Sequence, residues 1–280
     1  MAIRFLTDST SDITPEEARA RGIFLVPMEV SFGDVSYRDN YDITHEEFYE
    51  KLVRAKTLPT TSQPAPADFL PFFEEAKEKG DTLICLLISA ALSGTVQSAI
   101  LAKEICQYES IYIIDSKEAI VGLRMLVDLG FRLLEEGKSA EEIVAELESA
   151  KTRVRLFALV DTLEYLHKGG RLSAATAVVG TILKVKPLVT LKNGELAVLG
   201  KGRGVKDAIR TLLSLAGDDL HADPRLPVYY GYSRDKSLCE ELRAAVEEKY
   251  APKGSPLYSI GAVIGTHVGP GGAVFGYLER

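Results

Sequence analysis

Short apolar runs alternate with amphipathic segments along the first half of the chain. The runs at 3–6, 82–88 and 111–114 consist almost wholly of apolar residues and predict strands that are buried on both faces. Segments with apolar residues three or four positions apart predict the helices between them, the longest over 120–134. Because continuous apolar strands between helices are typical of a parallel sheet covered on both faces, the pattern predicts an α/β fold.

Capping sequences locate the first residues of several predicted helices. A Ser or Thr followed three residues later by Glu is typical of a capping box at a helix N-terminus. These predicted boxes pair Thr14 with Glu17, Thr44 with Glu47 and Ser139 with Glu142. Another helix is predicted from about Leu92, after the strand at 82–88.

The alternation restarts in the second half. A strand is predicted at 156–160, a hairpin at 186–199 across Asn193-Gly194, and further strands at 228–232, 257–260 and 273–278. Helices are predicted over 205–215 and 236–249. We therefore expect two α/β domains, 1–150 with a largely parallel sheet and 151–280 with a mixed sheet.

Charge changes at the same boundary. The 280 residues carry a formal net charge of −7, but 1–150 hold 14 basic and 27 acidic side chains, whereas 151–280 hold 19 and 13. Residues 151–210 alone hold 12 basic and 4 acidic side chains. Either solvated faces or a basic docking surface in the second half explains this excess. The acidic total disfavours nucleic acid as the main partner.

Several function classes lack support. The three cysteines, Cys85, Cys106 and Cys239, show no zinc or disulfide spacing, which indicates a reducing cytoplasm. No apolar run approaches the roughly 20 residues that span a bilayer, and the N-terminus turns polar too early for a secretory signal. Phosphate-loop, nucleophile-elbow and metal-ligating motifs are absent, so no resident cofactor is expected.

Hydroxyl side chains cluster where predicted strands end. Such clusters follow three strands, at 7–12, 89–95 and 115–116, and a fourth lies at 60–62 before a helix. Ligands of open α/β sheets bind at the carboxyl ends of the strands, and hydroxyls at helix N-termini suit an anion. The clusters therefore predict an anion site, although each hydroxyl taken alone is better explained as a helix cap. Asp8 and Asp115 either anchor loops or take part in the chemistry.

Glycine-rich segments add candidate contacts. Residues 265–272 contain four glycines around His267, which is either a donor to a carboxylate or phosphate or a histidine satisfied within a turn. Two basic glycine loops, at 168–173 and 200–204, carry Arg171 and Arg203. Arginines on such loops are suited to an anionic partner.

Taken in order, these motifs resemble the DegV family of bacterial fatty-acid-binding proteins. The matching segments are Thr7-Asp8-Ser9-Thr10, Thr61-Ser62-Gln63-Pro64, Leu92-Ser93-Gly94-Thr95, Lys168-Gly169-Gly170-Arg171-Leu172, Lys186-Pro187 and Gly265-Thr266-His267-Val268-Gly269-Pro270-Gly271. The resemblance extends over nearly the whole chain. It implies two α/β domains that enclose one long-chain fatty acid, such as palmitate, in a tunnel between or within them.

The resemblance also implies a headgroup site. The hydroxyls of Ser62 and Ser93 are expected to hold the carboxylate, and Thr61, the Gly94 amide and His267 are expected to support them. On this interpretation the protein is a lipid-binding protein and has no catalytic residues of its own.

Some relatives are the acyl-binding subunits of bacterial fatty acid kinase, in which a separate ATP-dependent kinase subunit makes an acyl phosphate for phospholipid synthesis. The resemblance therefore implies a cytoplasmic monomer whose Arg171 and Arg203 contact that kinase. Two alternatives stay open. One is an acyl or phosphoryl transferase that uses Asp8, Ser93 and His267, and the other is a regulatory protein whose basic surface at 151–210 binds an acidic macromolecule.

Overall fold

The computed structural model describes residues 2–172, 185–252 and 254–280. The strands, numbered along the chain, are β1 (Ile3–Asp8), β2 (Phe24–Val26), β3 (Glu29–Phe32), β4 (Val35–Arg38), β5 (Thr60–Ser62), β6 (Thr82–Leu87), β7 (Ile111–Asp115), β8 (Val154–Leu159), β9 (Val185–Lys192), β10 (Glu195–Arg203), β11 (Val228–Tyr232), β12 (Gly254–Ser259) and β13 (Ala273–Leu278). The helices are α1 (Pro15–Arg21), α2 (His45–Arg54), α3 (Pro66–Lys79), α4 (Thr95–Cys106), α5 (Ile120–Glu135), α6 (Ala140–Ala150), α7 (Glu164–Lys168), α8 (Gly204–Leu215), α9 (Ser237–Tyr250) and α10 (Ala262–Val268).

Each half of the chain builds one large sheet. The first has the order β2-β1-β6-β7 and is parallel throughout. The second has the order β10-β9-β8-β13-β11-β12, in which only β11 and β12 pair in parallel. A small antiparallel sheet, β4-β3-β5, is inserted into the first half. The predicted α/β class, with one parallel and one mixed sheet, is confirmed.

Helix α5 lies between the two large sheets. It contacts β1 and β6 of the first sheet and β8, β11 and β13 of the second. Its residues are buried almost around its whole circumference, as expected for a helix without a solvent face. Helices α3 and α4 cover the outer face of the first sheet, and α8 and α9 cover that of the second. The largest hydrophobic cluster therefore occupies the space between the sheets.

The strands of the two large sheets divide at residue 150, but the cluster between the sheets joins both halves. It includes Phe5 and Leu126 from one half and Leu156 and Val274 from the other. The domain boundary at 150 stays a prediction. Within the described ranges, no helix is both long and apolar enough to cross a membrane.

Three local predictions need correction. The segment at 23–32, which its Val, Ile and Phe residues predict to be one extended stretch, divides into β2, which joins the parallel sheet, and β3, which joins the small sheet. Helix α4 begins at Thr95 rather than near Leu92, because Leu92 and Ser93 form turns back to the carbonyl of Ser89. The capping boxes of α2 and α6 are present. At α1 Thr14 caps the helix, but the Glu17 carboxylate pairs with Arg21 and Arg124.

Candidate functional site

A narrow apolar cavity lies between the two sheets. The space that the centre of a water-sized sphere can reach inside it is about 90 Å³. An extended acyl chain is barely wider than a water molecule. In a tube that just fits such a chain, the centre of a water-sized sphere can therefore occupy only a small volume. The apolar lining comes from both halves of the chain: Met28, Ile88, Leu92, Ala119, Ile120, Leu156, Ala158, Leu159, Val160, Leu166, Val189, Leu191, Leu196, Ile260, Val263, Ile264, Val268, Gly272, Ala273 and Val274.

Four of the five polar side chains in the lining lie together at one end of the cavity. The fifth, Thr190, donates its hydroxyl to the carbonyl of Leu156 at 2.6 Å. Thr61 Oγ1 lies 3.0 Å from Nε2 of His267, and both residues line the cavity. Arg171 donates from Nε to the carbonyl of Leu92, which precedes Ser93, and from a terminal nitrogen to the carbonyl of Gly169, which packs against His267. These contacts connect four polar lining residues into one group: Thr61, Ser93, Arg171 and His267.

Strand β5 presents Thr61, rather than Ser62, to the cavity. Successive side chains of a strand point to opposite faces, and Thr61 pairs with the fully buried Val30 of β3. Ser62 is exposed and does not line the cavity. Of the two contacts predicted on β5, Thr61 therefore lines the cavity and Ser62 does not.

Ser93 reaches the cavity from the turn before α4. Its Oγ lies 2.8 Å from Oγ1 of Thr95, a fully buried residue that in turn contacts Sδ of Met28 at 3.9 Å. Gly94, between these two hydroxyls, caps α4 but does not line the cavity. A Cβ at Gly94 would lie 2.0 Å from Oε1 of Gln63, so the absence of a side chain lets Gln63 close over the turn.

His267 is held by the last turn of α10 and is only 8% exposed. Burial, with the positive charge of Arg171 as a second cause, lowers the pKa of the imidazole to about 4. The ring is therefore neutral at pH 7. Its Nδ1 is buried, has no hydrogen-bond partner among the residues that the structure describes, and faces Gly169, where a Cβ would lie only 2.2 Å away.

Two buried carboxylates hold the N-terminus of α10 against the first half. Asp39 accepts hydrogen bonds from the backbone N–H groups of Ala262 and Val263, at 3.0 and 3.4 Å. Asp12 accepts one from Gly261 at 2.8 Å. Burial raises the pKa of Asp39 to about 6, and burial also raises that of Asp12. These contacts set the position of the helix that carries His267.

Asp8 and Asp115 are engaged in holding loops. The Asp8 carboxylate accepts hydrogen bonds from Thr10 and from the backbone of Ile88 at 2.8 Å, and burial raises its pKa. Asp115 accepts from the backbone of Ala90 and Lys117. Neither carboxylate lines the cavity, so the structure brings Ser93 and His267 to it without Asp8.

The two predicted arginines differ in position. Arg171 is exposed at the polar end of the cavity and lines it. Arg203 is also exposed, but it ends strand β10 opposite Val185 and lies outside the cavity lining. Its backbone N–H donates to Asp207 at 2.7 Å.

The arrangement suits an amphiphilic anion. Its apolar length can take an alkyl chain, and its polar end offers hydroxyls, a neutral imidazole and one guanidinium. In the part of the chain that the structure describes, no group of three or more His, Cys, Asp or Glu side chains is placed to hold a metal ion.

Sequence reasoning missed several residues of the site. Thr95 and Gln63 lie in the segments 92–95 and 61–64 that carry the family resemblance, but no function was predicted for them. Asp12 and Asp39 were not predicted to belong to the site. No helix was predicted over the glycine-rich segment at 265–272, yet Gly265, Thr266 and His267 belong to helix α10. The available signal was the apolar run at 262–264, which continues into that segment.

Comparisons with known proteins agree with this architecture. A family model described as "Uncharacterised protein, DegV family" matches residues 2–280. A DegV domain-containing protein of Caldanaerobacter subterraneus is 36% identical over 278 residues, which cover 99% of each chain. Protein DegV of Bacillus subtilis is 34% identical and covers 97% of each chain.

Solved structures extend the comparison to ligands. A structure described as fatty acid binding of a DegV family protein from Thermus thermophilus has a TM-score of 0.88 and 36% identity, and the match covers 99% of this chain and 100% of that one. A stearic acid-binding protein from Eubacterium ventriosum has a TM-score of 0.88 and 30% identity, over 100% and 98% of the two chains. From the full-length match and these relatives, the chain belongs to the DegV family.

Proposed function

We propose that this protein binds one long-chain fatty acid, with the acyl chain in the cavity and the carboxylate at its polar end. The observation that carries the proposal is an apolar cavity between the two sheets that ends in the hydroxyls of Thr61 and Ser93. Thr61 and Ser93 hold the carboxylate, and His267 and Arg171 lie beside them. Relatives described as binding fatty acids, including stearic acid, support this assignment.

The energetics favour a headgroup site that is largely neutral. Burying the methylenes of a C16 acid contributes roughly 11 kcal/mol, at about 0.8 kcal/mol for each of about 14 groups. Ordering and association take back several kcal/mol of this. The acyl chain therefore supplies most of the affinity, and the hydroxyls are left to orient the carboxylate.

The same proposal includes presentation of the carboxylate to an ATP-dependent kinase subunit that forms an acyl phosphate. Arg171 supports this step because it is exposed beside the headgroup end, where a partner has access. Arg203 is a second exposed cation of the same half and is proposed to contact the partner. The protein acts in this scheme as the substrate-carrying subunit, without catalytic residues or a resident cofactor.

Native mass spectrometry of protein purified without added lipid tests the binding function. We expect a co-purified fatty acid, identified in an organic extract. Val189 is buried and lines the cavity, so Val189→Phe should abolish retention, whereas Val35→Phe on the exposed strand β4 should leave it unchanged. Protein that neither retains nor takes up palmitate would contradict the proposal.

A second assay tests presentation. Lipid-loaded protein is mixed with ATP, Mg²⁺ and the catalytic subunit of a bacterial fatty acid kinase, and acyl phosphate is trapped with hydroxylamine. Arg203→Ala, outside the cavity lining, should lower acyl phosphate formation while retaining the lipid. Arg171→Ala should lower acyl phosphate formation when it is compared with the wild-type chain at equal lipid loading. Turnover by the isolated chain would instead favour the transferase that uses Ser93 and His267.

A further inference from the structure

The two hydroxyls at the polar end of the cavity each have a second polar group behind them. Thr61 Oγ1 lies 3.0 Å from His267 Nε2, and Ser93 Oγ lies 2.8 Å from Thr95 Oγ1. A hydroxyl has a single hydrogen to donate. If Thr61 and Ser93 donate to His267 and Thr95, no hydrogen is left for a carboxylate. If they accept from them instead, both hydrogens can point into the cavity.

The surroundings of His267 decide which residue donates in its hydrogen bond with Thr61. A neutral imidazole carries hydrogen on one nitrogen only. Hydrogen on Nδ1 would leave a buried N–H without a partner against Gly169, because Nδ1 makes no hydrogen bond. Buried unpaired N–H donors are rare and costly, whereas hydrogen on Nε2 has Thr61 as its acceptor. The geometry therefore favours donation from His267 Nε2 to Thr61.

Thr95 has two acceptors within reach. Its Oγ1 lies 2.8 Å from Ser93 Oγ and 3.9 Å from Sδ of Met28. A thioether sulfur is a weak acceptor, and a hydroxyl that itself donates to an anion accepts more strongly. Thr95 is fully buried and outside the lining, so it acts only through Ser93.

We propose that His267 and Thr95 are positioning residues that donate to Thr61 and Ser93, so that the hydroxyls of Thr61 and Ser93 both donate to the ligand carboxylate. This inference rests on the proposed function and specifies how its headgroup site is oriented. It gives Thr95 a role in recognition.

The two possible directions predict opposite effects of one substitution. Thr95→Val keeps the shape of the side chain and removes its hydroxyl. If Thr95 donates to Ser93, its loss weakens carboxylate binding by about 3- to 10-fold, the usual range for one hydrogen bond. If Thr95 accepts from Ser93, its loss frees the Ser93 hydrogen, and carboxylate binding is unchanged or tighter.

The experiment measures palmitate and hexadecanol binding to the wild-type chain, Thr95→Val and Thr95→Ser by calorimetry. We expect the valine variant to lose palmitate affinity, to keep hexadecanol affinity within about 2-fold, and serine to restore palmitate binding. Unchanged or tighter palmitate binding would overturn the proposal. So would an equal loss for both ligands, because that pattern marks a structural role.

The tautomer of His267 is tested without ligand. In ¹⁵N-histidine-labelled protein, the protonated and bare ring nitrogens resonate far apart, and a His267→Gln variant identifies the signals. We expect the hydrogen on Nε2, and a hydrogen on Nδ1 would overturn the proposal. Wild-type protein that binds neither palmitate nor hexadecanol would instead contradict the proposed function, and the tautomer measurement would still report the direction of this hydrogen bond.

Discussion

Thr61 and His267 meet at 3.0 Å through Oγ1 and Nε2, although 206 positions separate them in the chain. Thr61 comes from the small sheet of the first half and His267 from helix α10 of the second. The polar end of the cavity therefore exists only where the two halves are packed together.

Thr61→Val should weaken palmitate binding about 10-fold or more, because the variant removes a hydroxyl that donates to a charged group. Ser62→Ala should change it less than about 2-fold, since Ser62 is exposed outside the cavity lining. Displacement of a fluorescent fatty acid measures both values. A larger effect at Ser62 than at Thr61 would contradict the geometry of β5.

Palmitate affinity should show no step near pH 6.5, the ordinary pKa of histidine. The lowered pKa of His267, about 4, keeps its imidazole neutral throughout the range from pH 6 to 8. Calorimetric titrations at half-unit intervals across that range provide the measurement. A tightening of binding on acidification through pH 6.5 would show that the imidazole becomes charged on binding.

Asp39 should make the free energy of unfolding fall as pH rises from about 4 to about 6. Its folded pKa, about 6, lies above the ordinary value of 3.8, so in this window the folded chain keeps a proton that the unfolded chain has released. The difference amounts to roughly 3 kcal/mol. Asp39→Asn removes this dependence and retains an oxygen for the N–H groups of α10.

Urea unfolding of the wild-type chain and of Asp39→Asn, at pH 4.5 and at pH 7, isolates the contribution of Asp39 to the free energy of unfolding. The wild-type stability should decline more between the two pH values than that of Asp39→Asn. Because Asp8 and Asp12 shift in the same direction, the variant should retain part of the dependence. Identical pH profiles would contradict a titration of Asp39 in this range.

Gly94→Ala should destabilise the fold by about 1–2 kcal/mol, because the new Cβ displaces the Gln63 side chain from Gly94 and from its hydrogen bond to Ser98. The backbone of Gly94, with φ −74°, tolerates alanine, so the cost comes from the contact alone. In a Gln63→Ala background the same substitution should cost much less. Equal costs in both backgrounds, measured by denaturation, would rule out this contact as the cause.

The periodicity of the sequence was sufficient for the class of fold. Runs such as 82–88 are apolar because both faces of the strand are covered, so burial alone identifies them. Short polar strands such as β4 and β5 escaped prediction, since pairing with β3 stabilises them and no apolar pattern marks them. The start of α4 was misplaced because the turn made by Ser89 with Leu92 and Ser93 is a backbone feature.

The site was predictable to the level of loops but not of side chains. The motif containing Thr61 and Ser62 was predicted to contact the carboxylate, but which of the two neighbours lines the cavity depends on the face that β5 turns to it. That face is set by pairing with Val30 of another strand. Asp39 was not selected because it follows a short strand without any chemical motif, and its role arises from packing against α10.

Helix α10, seven residues long, both lines the ligand cavity and holds the two halves of the chain together. This helix forms part of the cavity wall, carries His267 and is held at its N-terminus by Asp12 and Asp39 of the other half. A molecule that fills the cavity consequently contacts both halves, and its apolar contacts add to those of the hydrophobic core. A bound lipid should therefore make it harder for the two halves to separate where they meet around the cavity. Proteases should cut the empty protein there more readily than the lipid-bound protein.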